Sequence, residues 1–285
     1  MQPNFPIPFT KMSGTGNDFI LIDHRTPMLA GLDVAAFARA VCRRRFSVGA
    51  DGLILIEPSV TADFAWRFFN ADGSIAEMCG NGARCAARFA FTKGIAPAAM
   101  RFETLAGVIA AQVTESGERP ASVKLRMTTP TAVVLNQPLM VDGTTKTIHA
   151  INTGVPHAVH FVDDLAATPV FAWGRLLRDH PEFQPAGANV NFVQTLGPAS
   201  LKVRTYERGV ENETMACGTG AVAAALVSAL LGQAVSPVAV TTSGGDRLLV
   251  HFRLIPEDTP TVTEVFLEGP AHFVYEGQLG KESLP

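Results

Sequence analysis

The chain has 285 residues, 47% of them hydrophobic, and a formal net charge of −3. That length suits about two domains, each with its own core, and so small a charge excludes an electrostatic case for nucleic acid or a membrane surface as partner. Met1-Gln2-Pro3-Asn4-Phe5-Pro6 lacks a basic stretch running into an apolar one, and the most apolar run, 221–231, is shorter than the about 20 residues of a membrane span, so the expected setting is the cytoplasm.

Short β-branched and aliphatic runs bounded by Gly and Asp predict a strand at 20–23. A helix follows at 33–44, with Asp33 as its N-cap. Strands are then expected at 48–57 and 66–69, and a helix at 82–92. Strands at 123–127, 149–151 and 158–162 precede a helix at 172–179. A strand at 201–206, a helix at 220–231 and strands at 248–254 and 262–266 complete the pattern. Many strands with one central helix per half predict an α+β fold, a curved sheet wrapped around a helix. Thr128-Thr129-Pro130-Thr131 reads as a linker between halves. Gly14-Thr15-Gly16-Asn17 leading to Asp23 has a loose counterpart in Asn152-Thr153-Gly154-Val155-Pro156-His157 leading to Asp163.

The repeat is sharpest at two cysteines. Cys79-Gly80-Asn81-Gly82 and Cys217-Gly218-Thr219-Gly220 each close a similar stretch and open an Ala-rich helical run, half a chain apart. A cysteine at a helix start lies among unpaired backbone N–H groups and at the positive end of the dipole, which favours thiolate. Glycine after each cysteine lets a ligand approach, and the N–H groups of Gly80-Asn81 and Gly218-Thr219 can hold a carboxylate. Two mirrored thiols suit proton exchange at an amino-acid α-carbon, one thiolate removing the proton and the other thiol delivering one to the opposite face. No Rossmann glycine pattern, pyridoxal lysine context or zinc-type His/Cys spacing is present, so neither cofactor nor metal is expected.

Plainer readings stand beside these. Cys85 and Cys42 read as packing residues. His157 tunes a thiol or shapes a turn. Glu207 orients substrate or shifts a thiol pKa, or else pairs with Arg208 or Arg204. Arg43-Arg44-Arg45 reads as a solvated helix end.

Gly14-Thr15-Gly16-Asn17-Asp18-Phe19, Phe69-Asn70-Ala71-Asp72-Gly73-Ser74, Cys79 to Cys85, Tyr206-Glu207-Arg208-Gly209 and Ala216 to Gly220 resemble the diaminopimelate epimerases, over nearly the whole chain. The resemblance implies two similar α+β domains related by a pseudo-twofold, each a mixed or antiparallel sheet around a central helix, with the active site between them. They would cover 1–130 plus about 271–285, and 131–270. It implies an isomerase that interconverts LL- and meso-diaminopimelate without cofactor, in lysine and peptidoglycan synthesis. Cys79 and Cys217 match the catalytic cysteines. Asn17, Asn70, Asn189, Glu207 and Arg208 match substrate contacts, and Gly80, Asn81, Gly218 and Thr219 match the backbone groups on the reacting carboxylate. His157 and Glu207 match thiol-tuning residues, and Tyr275 matches a position at a homodimer interface.

Two positions depart from some family members: Gly52 stands where they have Gln, and Val155 where they have Asn. Both touch the distal part of the substrate in those members. The alternatives are a racemase for another amino acid, such as a proline-like or histidine-like substrate, and a phenazine-pathway type of isomerase or lyase. The paired cysteines argue against the latter. A binding protein would need inert thiols.

Overall fold

In the computed structural model, residues 5–116, 119–257 and 260–283 are described; the opening Met1 to Asn4, read above for a leader, lie outside them. The chain divides into two compact units, Met1–Leu125 with Gly269–Pro285, and Arg126–Glu268.

The first unit contains β1 (Ile7–Gly14), β2 (Asn17–Asp23), α1 (Val34–Cys42), β3 (Gly52–Glu57), β4 (Phe64–Asn70), α2 (Gly80–Thr92), β5 (Ala99–Thr104), β6 (Gly107–Ser116) and β7 (Arg119–Arg126). β1 and β2 form a hairpin whose two turn residues, Thr15 and Gly16, have φ of 51° and 87°. Positive φ at both positions matches the twist of the flanking strands. β2 and β3 are parallel, β3 and β4 antiparallel, β4 and β5 parallel, and β5 to β7 an antiparallel meander.

Alternation along these strands sorts the side chains between two helices. Ile20, Ile22, Leu53, Leu55 and Phe69 pack with Phe37, Ala38 and Val41 of α1. Phe19 and Ile54 point the other way and meet α2 at Gly82. Asp33 caps α1 as expected, accepting from the N–H groups of Ala35 and Ala36 at 3.0 and 3.2 Å.

The second unit repeats this order. It contains β8 (Thr131–Val141), β9 (Thr144–Asn152), β10 (Pro156–Phe161), α3 (Val170–Arg178), β11 (Asn189–Gly197), β12 (Ser200–Glu207), β13 (Asn212–Thr214), α4 (Gly218–Leu230), β14 (Val238–Thr241), β15 (Arg247–Ile255) and β16 (Thr261–Pro270). β17 (His272–Leu279) returns to the first unit and pairs with β1, as β8 pairs with β9. β10 and β11 are parallel and β11 and β12 antiparallel, as β2, β3 and β4 are. Ala158, Val190, Phe192 and Tyr206 pack with α3. Val159, Val193, Leu201 and Val203 face α4, where Ala221 to Val227 are buried all round. A helix apolar on every side belongs in the interior, and each large side chain so buried contributes about 1.5–3 kcal/mol.

The fold is therefore a two-domain repeated α+β fold, with a second helix on the outer face of each sheet. The central helices begin two residues before the expected starts, because Gly80 and Gly218 are already helical. Several strands were not legible in the sequence. β8 carries Pro138 and mostly exposed residues, and the Thr/Pro run read as a linker leads straight into it. β17 is likewise largely exposed and lacks a clean apolar alternation.

Gly52 has a steric cause. A Cβ there would lie 2.5 Å from Phe68 Cε2 and 2.7 Å from the Phe69 carbonyl oxygen. Gly52→Gln is therefore expected to destabilise the protein by about 1–3 kcal/mol through overpacking, measured as a lower midpoint in urea unfolding; an unchanged midpoint would contradict the close packing.

Candidate active site

Each unit presents its cysteine in the same way. Cys79 is the N-cap of α2, with φ −146° and ψ 120°, and Cys217 is the N-cap of α4, with φ −121° and ψ 110°. Neither thiol caps its helix. The first bonds of the two ladders run from Ala83 N–H to the Cys79 carbonyl and from Ala221 N–H to the Cys217 carbonyl. The N–H groups of Gly80 and Asn81, and of Gly218 and Thr219, thus precede the ladders and carry the positive end of each dipole. Both cysteines are half-buried. Cys217 Sγ lies 3.5 Å from the Thr219 hydroxyl.

The last glycine of each motif serves packing. At Gly82 a Cβ would press on Ile54 and Phe19, and at Gly220 it would sit 2.2 Å from Asn191 Oδ1. The bare backbone lets each helix start rest directly on its sheet.

In the first unit, a polar chain holds the start of α2. Asn17 Nδ2 donates to Asp51 at 2.9 Å, and Asn17 Oδ1 accepts from Asn81 Nδ2 at 2.7 Å. Asn81 Oδ1 accepts from Arg84 at 2.7 Å. Arg84 is fully buried and also donates to the Thr15 hydroxyl and, at 3.2 Å, to the Pro270 carbonyl. Asn81 thus uses its side chain to organise the site as well as its backbone. Asn70 is exposed at the end of β4 and donates to the Ser74 hydroxyl at 2.9 Å.

Arg43, Arg44 and Arg45 are exposed at the end of α1, the solvated helix end expected, and Arg44 makes ion pairs besides. Arg44 bridges Asp18 at 2.5 Å and Asp51 at 2.9 Å. Lys11 pairs with Asp18 at 2.7 Å. These cations outweigh burial and hold the Asp18 carboxyl below its usual range. The folded turn brings both aspartates to Arg44, and Asp51 in turn aims Asn17. Cys42 and Cys85 are packing residues, as expected: burial pushes both thiols up to about 12.

In the second unit, His157, Asn189, Asn191, Thr205 and Glu207 fall on the sheet face that covers α4, by strand alternation from Val159, Val193 and Val203. Asn189 Oδ1 accepts from the Arg208 N–H at 2.8 Å, and the Arg208 guanidinium donates to the Ala186 carbonyl at 2.8 Å. Arg204 pairs with Glu213 at 2.7 Å rather than with Glu207. Burial pushes the Glu207 carboxyl up. His157 is fully buried, and desolvation, with the charge of Arg208, pushes its imidazole down to about 3.

The structure thus groups Asn17, Gly80 and Asn81 around the head of α2. It places His157, Asn189, Glu207 and Arg208 on one face or end of the sheet that covers α4, which begins at Gly218 and Thr219. Asp51, Arg84, Asn191 and Thr205 were missed by sequence reasoning. Asn191 had a signal: it lies two residues beyond Asn189, the strand period that keeps it on the same face. Tyr275 is 46% exposed on β17 and meets Phe9 edge-on at 5.8 Å.

A family model described as diaminopimelate epimerase matches the chain twice, over residues 9–133 and 149–273. A curated protein of that name from Aquifex aeolicus is 49% identical over 97% of this chain and 99% of its own length. One from Hydrogenobaculum is 45% identical over 96% of this chain and 98% of its own. Among solved structures, a PhzF-family phenazine biosynthesis protein of Bacillus anthracis aligns with a TM-score of 0.70 at 16% identity, covering 97% of this chain and 100% of that one. A hydroxyproline epimerase from Agrobacterium vitis aligns with a TM-score of 0.68 at 18% identity, covering 99% and 94%. These structural likenesses carry the fold.

Proposed function

Because this chain belongs to the diaminopimelate epimerase family and is thus an isomerase acting on amino acids, we propose that it interconverts LL- and meso-diaminopimelate by two-base proton transfer at the α-carbon. The observation that carries the mechanism is the matched placement of Cys79 and Cys217 at the N-caps of the two central helices, thiols not engaged in capping. One thiolate removes the α-proton and the other thiol returns a proton to the opposite face, so the configuration inverts. The N–H groups of Gly80 and Asn81 and of Gly218 and Thr219 hold the reacting α-carboxylate and spread the charge that develops beside the carbanion. No cofactor takes part in the proposed steps. General acid–base transfer contributes about 10²–10⁴-fold, and positioning and electrostatics the remainder.

Asn17, Asn70, Asn189, Glu207 and Arg208 contact the rest of the substrate in this reading. Arg208 suits a carboxylate. His157 and Glu207 tune the thiols. The product serves lysine and peptidoglycan synthesis in the cytoplasm, and the enzyme works as a homodimer with Tyr275 near the interface. Among the described residues, no helix is long and apolar enough to cross a membrane.

The test is incubation of the reduced protein with LL-diaminopimelate in deuterated water, beside a panel of other amino acids. Deuterium at one α-carbon with conversion to the meso form is expected. Exchange confined to another amino acid would move the substrate to the racemase alternative and keep the two-thiol chemistry.

A further inference from the structure

Asn191 is fully buried on β11, against the first turn of α4. Its amide is oriented from both ends. Nδ2 donates to the Ala158 carbonyl at 3.1 Å, an atom that can only accept, and Oδ1 accepts from the Thr205 hydroxyl at 3.0 Å. The same Nδ2 lies 3.0 Å from His157 Nδ1. Nδ1 therefore accepts, and the proton of the neutral ring sits on Nε2. Nε2 is buried and has no hydrogen-bond partner among the described residues. An unmatched buried donor is costly, and such groups mark sites of function.

We propose that Asn191 is a positioning residue that holds His157 as a neutral Nε2–H donor, and that His157 serves proton transfer by donating that hydrogen bond to an anion of the reaction, not by taking a proton from a thiol. The second half rests on the two-thiol reading above. Of the charged or titratable groups nearby, Arg208 disfavours the imidazolium. Glu207 lies on the same face of β12, His149 on the same face of β9, and Cys217 at the head of α4. None of these fixes the Nδ1 side; Asn191 does. In the first unit, Asp51 orients Asn17 in the same way.

The test is nitrogen NMR of the full chain labelled with ¹⁵N-histidine, with His157 assigned by its loss in His157→Gln. The expected spectrum has an unprotonated Nδ1 and a protonated Nε2 that do not change between about pH 5 and 8, where ordinary histidines titrate. Asn191→Asp, which replaces the donor with an acceptor, is expected to move the proton to Nδ1 or to form the imidazolium. It should lower kcat about 10–100-fold with little change in KM, the span of a hydrogen bond to a charged group. A wild-type His157 that carries its proton on Nδ1, or titrates near 6.5, overturns the tautomer. Full activity in His157→Leu, which has no donor to replace Nε2–H, overturns its part in the reaction. Should Asn191→Asp not fold, the wild-type spectrum and His157→Leu still decide both halves. Failure of the wild type to exchange diaminopimelate protons sinks the substrate reading, while the spectrum still decides the tautomer.

Discussion

Cys79→Ser and Cys217→Ser are each expected to lower epimerisation about 10²–10⁴-fold, the loss of one positioned acid–base group, without lowering stability. The two halves of that expectation come from one feature. Both thiols occupy N-cap positions and make no capping bond. Serine is a favoured N-cap residue whose oxygen accepts from the N–H groups of the first turn. The substitution therefore keeps or improves the helix start while replacing an acidic thiol with a hydroxyl that ionises far less readily. Unfolding midpoints should hold or rise as activity disappears. The decisive measurement is α-proton exchange and epimerisation in deuterated water, run from both the LL and the meso side. In the proposed mechanism each thiol serves one face, so either variant alone should block inversion. A single variant that epimerises fully in both directions would end the two-base mechanism.

The second large effect is on stability against pH. The His157 imidazole has an ordinary value of 6.5 and is held down to about 3 in the folded protein, chiefly by burial. Between those values the unfolded chain binds a proton that the folded chain refuses. Stability therefore rises with pH across this window, and is lost as pH falls below 6.5. At about 1.4 kcal/mol per pH unit, His157 alone removes roughly 2–3 kcal/mol between about pH 6.5 and 4.5. His149 and His160, also held down by burial, act with the same sign. Glu207, pushed up by burial, acts with the opposite sign above 4.5. Asp18, Glu57 and Glu213 are held low, so their contributions are lost only at more acid pH. All of these groups are shared by His157→Gln, so comparing the two proteins isolates His157. The variant is expected to show a flatter slope in urea unfolding from pH 7.5 to 4.5. Parallel slopes would mean that His157 is protonated in the folded state.

Much of the site was written in local pattern. Cys79-Gly80-Asn81-Gly82 and Cys217-Gly218-Thr219-Gly220 each mark a helix start and its thiol within a few residues, because N-caps and first turns depend on neighbours in the chain. The doubled motif also marked the repeat, and the long motifs marked the family. Asp33 was legible as a cap for the same local reason.

What the sequence left open depends on contacts between residues far apart in the chain. Arg44 is exposed as expected, but its pairing with Asp18 and Asp51, brought together across a parallel strand pair, was not legible. Gly52 looked like a lost polar contact, whereas here a side chain would press on Phe68 and Phe69 of β4. The edge strand β17 and the exposed β8 carry little apolar alternation, so only their pairing partners reveal them. Asn191 is the clearest case. Its neighbours in sequence say only that it lies on a strand, while its work needs Ala158 on β10, Thr205 on β12 and the bare backbone of Gly220 on α4. By itself the sequence determined that a helix follows each cysteine, to within two residues of its start, which thiols sit at the heads and which family the motifs resemble, because those features follow from neighbouring residues. The tertiary structure alone decided which buried polar groups hold one another in place, and so which nitrogen of His157 carries the proton, because desolvation and hydrogen-bond partners are set by the packing of distant strands.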